Sequence, residues 1–296
     1  MKYKIAVTGK RKLWFLLAAL FILPGLISLM VQGLNLGIDF KGGLLLQLQF
    51  EETVEVENVR NVLAQFDLEQ SAIQSSESSN IIIRTQNLED DQRQEVLAAL
   101  EEKLGNYEIM RMQRVGAVIS SELRNAAFLA LFIAGLLMIA YITVRFEFKF
   151  AVAAVLALLY DVLVVIGVFS IFQIEVDSTF IAAILTIVGY SVNDTIVFFD
   201  RIRENLKGYR KGLVAPIVDA SVNHVLLRAI NTSVTTLFGI VALLFFGGET
   251  TKVFALALFL GVLVGTFSSV FIAPNIWALW RDCAEEKRLA AYGQTK

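Results

Sequence analysis

"VGYSVNDTIVFFDRIREN", residues 188–205, opens as an apolar helix and closes as a charged one, with Asn193 and Asp194 near its middle. A charge at mid-bilayer costs about 2.5–3.5 kcal/mol on insertion scales, so it is retained where something uses it. Whether this stretch crosses a membrane therefore decides the fold. Of the 296 residues 56% are hydrophobic, against about 45–50% in soluble globular domains. They also fall into blocks long enough to span a bilayer, roughly 20 residues each.

Six such blocks are present: 13–31, with Pro24 as a tolerated kink, and then about 126–144, 150–172, 178–199, 225–246 and 253–277. The first exceeds a signal-peptide core of about 7–15 residues and no small-x-small cleavage site follows it, so it is read as an uncleaved span. Lys and Arg accumulate on the cytoplasmic side of membrane proteins. With the N-terminus inside, segments 1–12, 145–149, 200–213 and 281–296 hold 16 Lys and Arg, and the short outside loops 173–177 and 247–252 hold only Lys252. Both termini are therefore expected in the cytoplasm. The chain divides into an N-tail with the first span (1–33), an extracytoplasmic segment (34–120), spans two to six (121–280) and a C-tail (281–296).

Segment 34–120 carries 15 acidic and 7 basic residues, as an exposed water-soluble domain would. Residues 37–43 read as a turn, in which Asp39 shapes the entry to the first strand. Residues 44–50 alternate as a strand, and 56–66 have helical spacing. Residues 71–75 and 81–85 flank "SESSN" as a hairpin. Residues 88–105 form a helix with acids at its start and Gly105 behind it, and 107–115 alternate again. The order β-α-β-β-α-β is the ferredoxin-like plan. The fold class is thus a polytopic α-helical membrane protein, six transmembrane helices with one extracytoplasmic ferredoxin-like α+β domain between the first two. Residues 116–127 read as a helix running into the second span, either a rigid join or a plain spacer.

Several functions fall away. Net charge is −2 and gives no basic excess for nucleic acid; the one cysteine, Cys283, excludes an internal disulfide and a cysteine metal cluster. The phosphate-binding patterns GxxxxGK[ST] and GxGxxG are absent. No cofactor, metal or enzymatic step is expected, and the energy must come from something other than nucleotide bound to this chain.

Three charges lie inside the spans: Asp161, Asp194 and Arg228. At 1.5 Å rise per residue, Asp194 lies ~25 Å and Arg228 ~27 Å from the outer edge, and Asp161 ~17 Å from the inner edge. Asp194 and Arg228 share a level, which permits a pair. Tyr190 and Ser191 fall on the face of Asp194. Arg228, Asn231, Thr232, Thr235 and Gly239 repeat at three- and four-residue spacing, a polar stripe that must face protein or a water-filled path. A carboxylate, a permanent cation and hydroxyls along such a path are the materials of a proton relay, with Asn193 beside the acid. Plainer readings stand next to it. Arg228 is close enough to the inner surface to snorkel, Asp194 could hydrogen-bond a neighbouring helix, and Asp161 is equally open to structure and function. His224 reads as interfacial, "DRIREN" with "KGYRKG" as a positive-inside loop, and Gly261 with Gly265 as helix packing.

With these residues in place, the chain resembles the SecF family, the smaller membrane subunits of the SecDF accessory complex of bacterial protein export. The resemblance covers nearly the whole chain and rests on "GIDFKGG" (37–43), residues 188–205 and "RAINTSVTTL" (228–237). It implies the resistance-nodulation-division superfamily of proton-driven exporters, a multi-pass protein of the bacterial inner membrane, and residues 34–120 in the periplasm. It implies pairing with SecD, binding to the SecYEG channel, and use of the proton-motive force to complete preprotein translocation. By the same resemblance Asp194 and Arg228 occupy positions implicated in proton transport, and Asp161 matches a recurring acid. Two other classes remain: an assembly subunit whose buried charges only fix pairing with SecD, and half of a small-molecule exporter, for which the outer segment is small.

Overall fold

The computed structural model describes residues 5–75, 79–207 and 214–293. The hairpin tip at 76–78, most of "KGYRKG" and both extreme termini lie outside the described residues. Two compact units result: 36–129, and 1–35 with 130–296.

The smaller unit runs α2 (Ile38–Lys41), β1 (Gly43–Phe50), α3 (Val56–Leu63) with a 3-10 turn (Ala64–Phe66), β2 (Ala72–Ser75), β3 (Asn80–Thr85), α4 (Asp90–Leu104) and β4 (Tyr107–Val115). The strands form one antiparallel sheet in the order β2-β3-β1-β4, the ferredoxin-like arrangement expected from the element order. Alternation fixes the register: Leu44, Leu46, Leu48 and Phe50 of β1 join Ile81 and Ile83 of β3 beneath α3 and α4, whose Val59, Val62, Leu63, Val96 and Leu100 complete the core. Leu45 and Ile82 meet Ile38 and Val115 in a small second cluster. The segment 37–43, read from sequence as a turn, contains one helical turn at Ile38–Lys41. Lys41, Gly42 and Gly43 then lead the chain into β1.

Tyr107 stands at the start of β4. Its hydroxyl donates to the Leu97 carbonyl at 3.0 Å, and its ring meets Phe50 edge-on at 5.4 Å. Burial, and then the nearby Glu101 carboxylate, hold this phenol above its ordinary value of 10.0. The folded state thus favours the neutral form, so the stabilisation is complete below pH 10 and is lost as pH rises through the higher folded value. Urea unfolding of this unit should weaken above about pH 10. Tyr107→Phe should remove that alkaline slope and cost about 1 kcal/mol for the lost hydrogen bond. An unchanged slope would place the sensitivity elsewhere.

The larger unit contains the membrane helices, except for the first part of α5, which belongs to the smaller one. Among the described residues, six helices are long and apolar enough to cross a bilayer. They are α1 (Arg11–Val31), α5 (Ala117–Arg145), α6 (Phe148–Ile171), α7 (Ser178–Leu206), α8 (Ala215–Phe246) and a last span built from α9 (Glu249–Phe267), a π turn (Ser268–Ile272) and α10 (Ala273–Gly293). Pro24 sits inside α1. The expected helix across 116–127 is the first part of α5, one unbroken helix. Small residues let the helices approach. A Cβ on Gly25 of α1 would lie 2.7 Å from the Gly167 Cα of α6, and Gly261 and Gly265 of α9 seat against Ile187 and Ser191 of α7. Below these crossings Trp277 is fully buried, stacked on Phe150 at 4.6 Å.

Candidate functional site

Three helices and the π turn bring the site together. On α7, Ser191, Asp194 and Thr195 are all buried, at 2%, 4% and 1% exposure, and Ser191 and Thr195 bond α6 and the last span. Asp161 of α6 is wholly buried. Ser191 Oγ donates to Asp161 Oδ2 at 2.5 Å and Ser268 Oγ donates to the same atom at 2.9 Å, while Asp161 Oδ1 is buried without a hydrogen-bond partner. Ser269 Oγ bonds Thr195 Oγ1 at 2.8 Å and reaches the Ser191 carbonyl at 3.4 Å. A polar seam thus runs between α6, α7 and the π turn. Gly265 leaves room for it, since a Cβ there would stand 3.2 Å from the Ser191 Cβ and 3.6 Å from Asp161 Oδ2.

Ser191 therefore serves Asp161, although its spacing placed it on the face of Asp194. Asp194 itself presents a buried Oδ2 with no hydrogen-bond partner. Among the described residues no cation, Arg228 of α8 included, lies within 4.0 Å of it, so the pair that their shared level permits is not formed here. The polar stripe of α8 faces away from the bundle: Arg228, Asn231, Thr232, Thr235 and Gly239 are exposed, while Leu226, Ala229, Ser233 and Ile240 are buried on the other side. Its hydroxyls are satisfied by the helix itself, Thr232 on the Arg228 carbonyl at 2.9 Å and Thr235 on the Asn231 carbonyl at 3.0 Å. Asn193, one residue before Asp194, is also exposed. Tyr190 packs against the Ile240, Ala255 and Val262 cluster, with its hydroxyl buried and unbonded.

Sequence reasoning missed Ser268, Ser269, Ser233 and Thr266, the last pair bonded at 2.7 Å across α8 and α9. The signal was the hydroxyl run "GTFSS" inside an otherwise apolar span. "DRIREN" (200–205), read with "KGYRKG" as a loop, instead continues α7 to Leu206, and its charges pair at helical spacing, Arg201 with Glu204 at 2.8 Å and Arg203 with Asp200 at 3.0 Å. His224 is exposed, its Nδ1 3.4 Å from Arg201. No group of three His, Cys, Asp or Glu suited to a metal exists among the described residues.

An arrangement of this kind holds two carboxylates out of water, next to a helix whose cation-bearing face is open to a second protein. Known proteins show where it belongs. Residues 95–283 match the family "Protein export membrane protein SecD/SecF, C-terminal", and residues 27–54 match the "SecD/SecF GG Motif". "Protein translocase subunit SecF" of Sebaldella termitidis is 44% identical over 92% of this chain and 90% of its own length. The protein of the same name from Acidaminococcus fermentans is 42% identical over 94% of this chain and 98% of its own. The crystal structure of SecDF, a translocon-associated membrane protein from Thermus thermophilus, matches with a TM-score of 0.88 at 35% identity, covering 95% of this chain. The chain spans 39% of that SecDF polypeptide. Matched along nearly its whole length to translocase subunits, the chain belongs to the SecD/SecF family of bacterial multi-pass membrane proteins, on the SecF side, with an accessory role in Sec translocation.

Proposed function

We propose that this chain, paired with a SecD-type subunit, uses the proton-motive force to promote late preprotein translocation at the SecYEG channel, through a relay of Asp194 and Arg228. One observation carries the reading: the buried Oδ2 of Asp194 has no hydrogen-bond partner, and the neighbouring helix α8 carries Arg228. In a bilayer the stripe 228–239 needs a protein neighbour, and SecD supplies it. Protonation of Asp194 weakens its attraction to Arg228 and frees α7 and α8 to shift; release restores it. Asp161, within its serine cage and nearer the outer side by the same rise per residue, is the outer station. The distribution of Lys and Arg supports both termini in the cytoplasm and residues 34–120 in the periplasm, where α5 conveys the movement and the α+β domain keeps an emerging polypeptide from sliding back.

One charge crossing 100 mV yields about 2.3 kcal/mol, roughly a fifty-fold bias. Repeated cycles are therefore needed. Asp194→Asn in vesicles reconstituted with the SecD-type partner should remove proton-dependent export and ion current while the two subunits still purify together. Export at the normal rate removes the relay. The outward stripe of α8 also favours an assembly role, and in that case the same variant loses its partner on purification.

A further inference from the structure

The N-terminal segment ahead of α1 is held in a way that the relay does not use. Ala215, Asp219 and Asn223 lie four residues apart along one face of α8, before the helix reaches Arg228. The Asn223 side chain bonds both main-chain groups of Ile5. Its Oδ1 accepts from the Ile5 N–H at 2.9 Å, and its Nδ2 donates to the Ile5 carbonyl at 2.8 Å. The second Nδ2 hydrogen is fixed on the Asp219 carbonyl at 2.7 Å, which sets the orientation of the amide. One turn earlier, Asp219 Oδ1 accepts from the Thr8 N–H at 2.8 Å, and Thr8 Oγ1 reaches the Ala215 carbonyl at 3.5 Å. Across the gap, the fully buried Asn275 of α10 donates to the Val7 carbonyl at 3.4 Å. Val7 is itself 0% exposed.

This is recognition of a peptide by its main chain, with one apolar side chain as anchor. A side-chain amide that both donates to and accepts from one residue's backbone fixes the orientation of that residue. Nothing in the bonding pattern depends on the tail being part of the same chain.

We propose that Asn223, Asp219 and Asn275 form a binding site for the main chain of a short peptide that enters a turn at its third position, where an apolar side chain is buried. The chain's own residues 5–8 are its resident occupant, and the occupied site pins the start of the helix that carries Arg228. The site ties the N-terminal segment, α8 and α10 together. Arg228 lies five residues beyond Asn223, roughly 7.5 Å along the helix. Movement of α8 then pivots about a point fixed by the tail. The proposal stands whether or not Asp194 carries protons, and its test is independent of export.

The probe is a fluorescent nonapeptide, MKYKIAVTG, titrated onto the purified complex of the partner with a chain lacking residues 2–8. It should bind. Asn223→Ala in the same background, an N-methyl group on the peptide's Ile5 nitrogen, or Val7→Asp in the peptide should each weaken it at least about tenfold, as loss of a paired hydrogen bond or the anchor predicts. Equal binding by the N-methylated peptide, or none by the parent, overturns the site. Should the shortened chain fail to accumulate, the full-length chain decides. In Asn223→Ala, trypsin should cut after Lys4 and Lys10 about tenfold faster, and amides 215–226 should exchange faster while 237–246 do not, since both track local opening. Unchanged rates for both refute the clamp.

Discussion

Gly167→Leu should leave a chain that cannot hold α1 against α6. A Cβ at this position would lie 2.7 Å from the Gly25 Cα and 3.3 Å from its carbonyl carbon. Both are backbone atoms, and neither can rotate aside. The helices must separate, and the bonds that depend on their closeness separate with them: Ser28 to Ser170 at 2.7 Å, Ser170 Oγ to the Gly33 carbonyl at 2.7 Å and Gln32 to the Ser170 carbonyl at 2.9 Å. Overpacking costs about 1–3 kcal/mol, and each interhelical hydrogen bond in a membrane adds roughly 0.6. The loss should be about 3–5 kcal/mol, read as a fall in the midpoint of denaturation in mixed detergent. Gly135→Leu is the control, since a Cβ there meets nothing within 4 Å. Equal midpoints for the two variants would refute the close crossing.

Gly43→Val should unfold the α+β unit without touching the bundle. Gly43 has φ 138°, and a Cβ would stand 2.4 Å from the Thr85 carbonyl oxygen, which belongs to the neighbouring strand. A branched side chain in that conformation costs about 1–3 kcal/mol for the backbone alone, and the contact with β3 adds to it. A total of at least about 3 kcal/mol is large against the roughly 5–15 kcal/mol that holds a domain together. Tryptic cleavage at Arg60 and Arg84 should accelerate by about a hundredfold or more, because cleavage follows the open population. Gly105→Ala has a positive φ of 95° but open space around its Cβ, so it should cost the backbone share alone, about 1–3 kcal/mol. If Gly43→Val is no worse than Gly105→Ala, the strand contact is not what demands glycine in this motif.

The six spans were legible because lipid imposes one crude demand, an unbroken apolar length, that composition alone can meet. The ends of the helices were not. α8 begins at Ala215, ten residues before its apolar run, because residues 215–224 form an amphipathic stretch that binds the N-terminal segment. Alternation gave the strands of the α+β unit, while the central place of β1 between β3 and β4 depends on pairings that no local pattern carries. For the site, the charges stood out by their cost in lipid, and so did the stripe on α8. The outward direction of that stripe was invisible, because a polar face looks the same whether it meets this chain or another. The cage of Asp161 was hidden for a different reason. Ser191 and Ser268 are 77 positions apart in sequence, and small hydroxyls cost too little in an apolar run to draw notice until a carboxylate is found between them.

The π turn closes its hydrogen bonds one residue further along than an α-helix does, so the last span holds one residue more there than a straight helix needs. That surplus lets two successive serines both lie at 0% exposure and bond different helices, Ser268 to α6 and Ser269 to α7. Dropping a single codon within 268–272 would restore ordinary helix and leave the azimuth of Asn275 and Trp277 as it is. Dropping one a few positions to either side would spin everything downstream by about 100°. The span's length is negotiable at one address, and that address is the one touching the caged carboxylate.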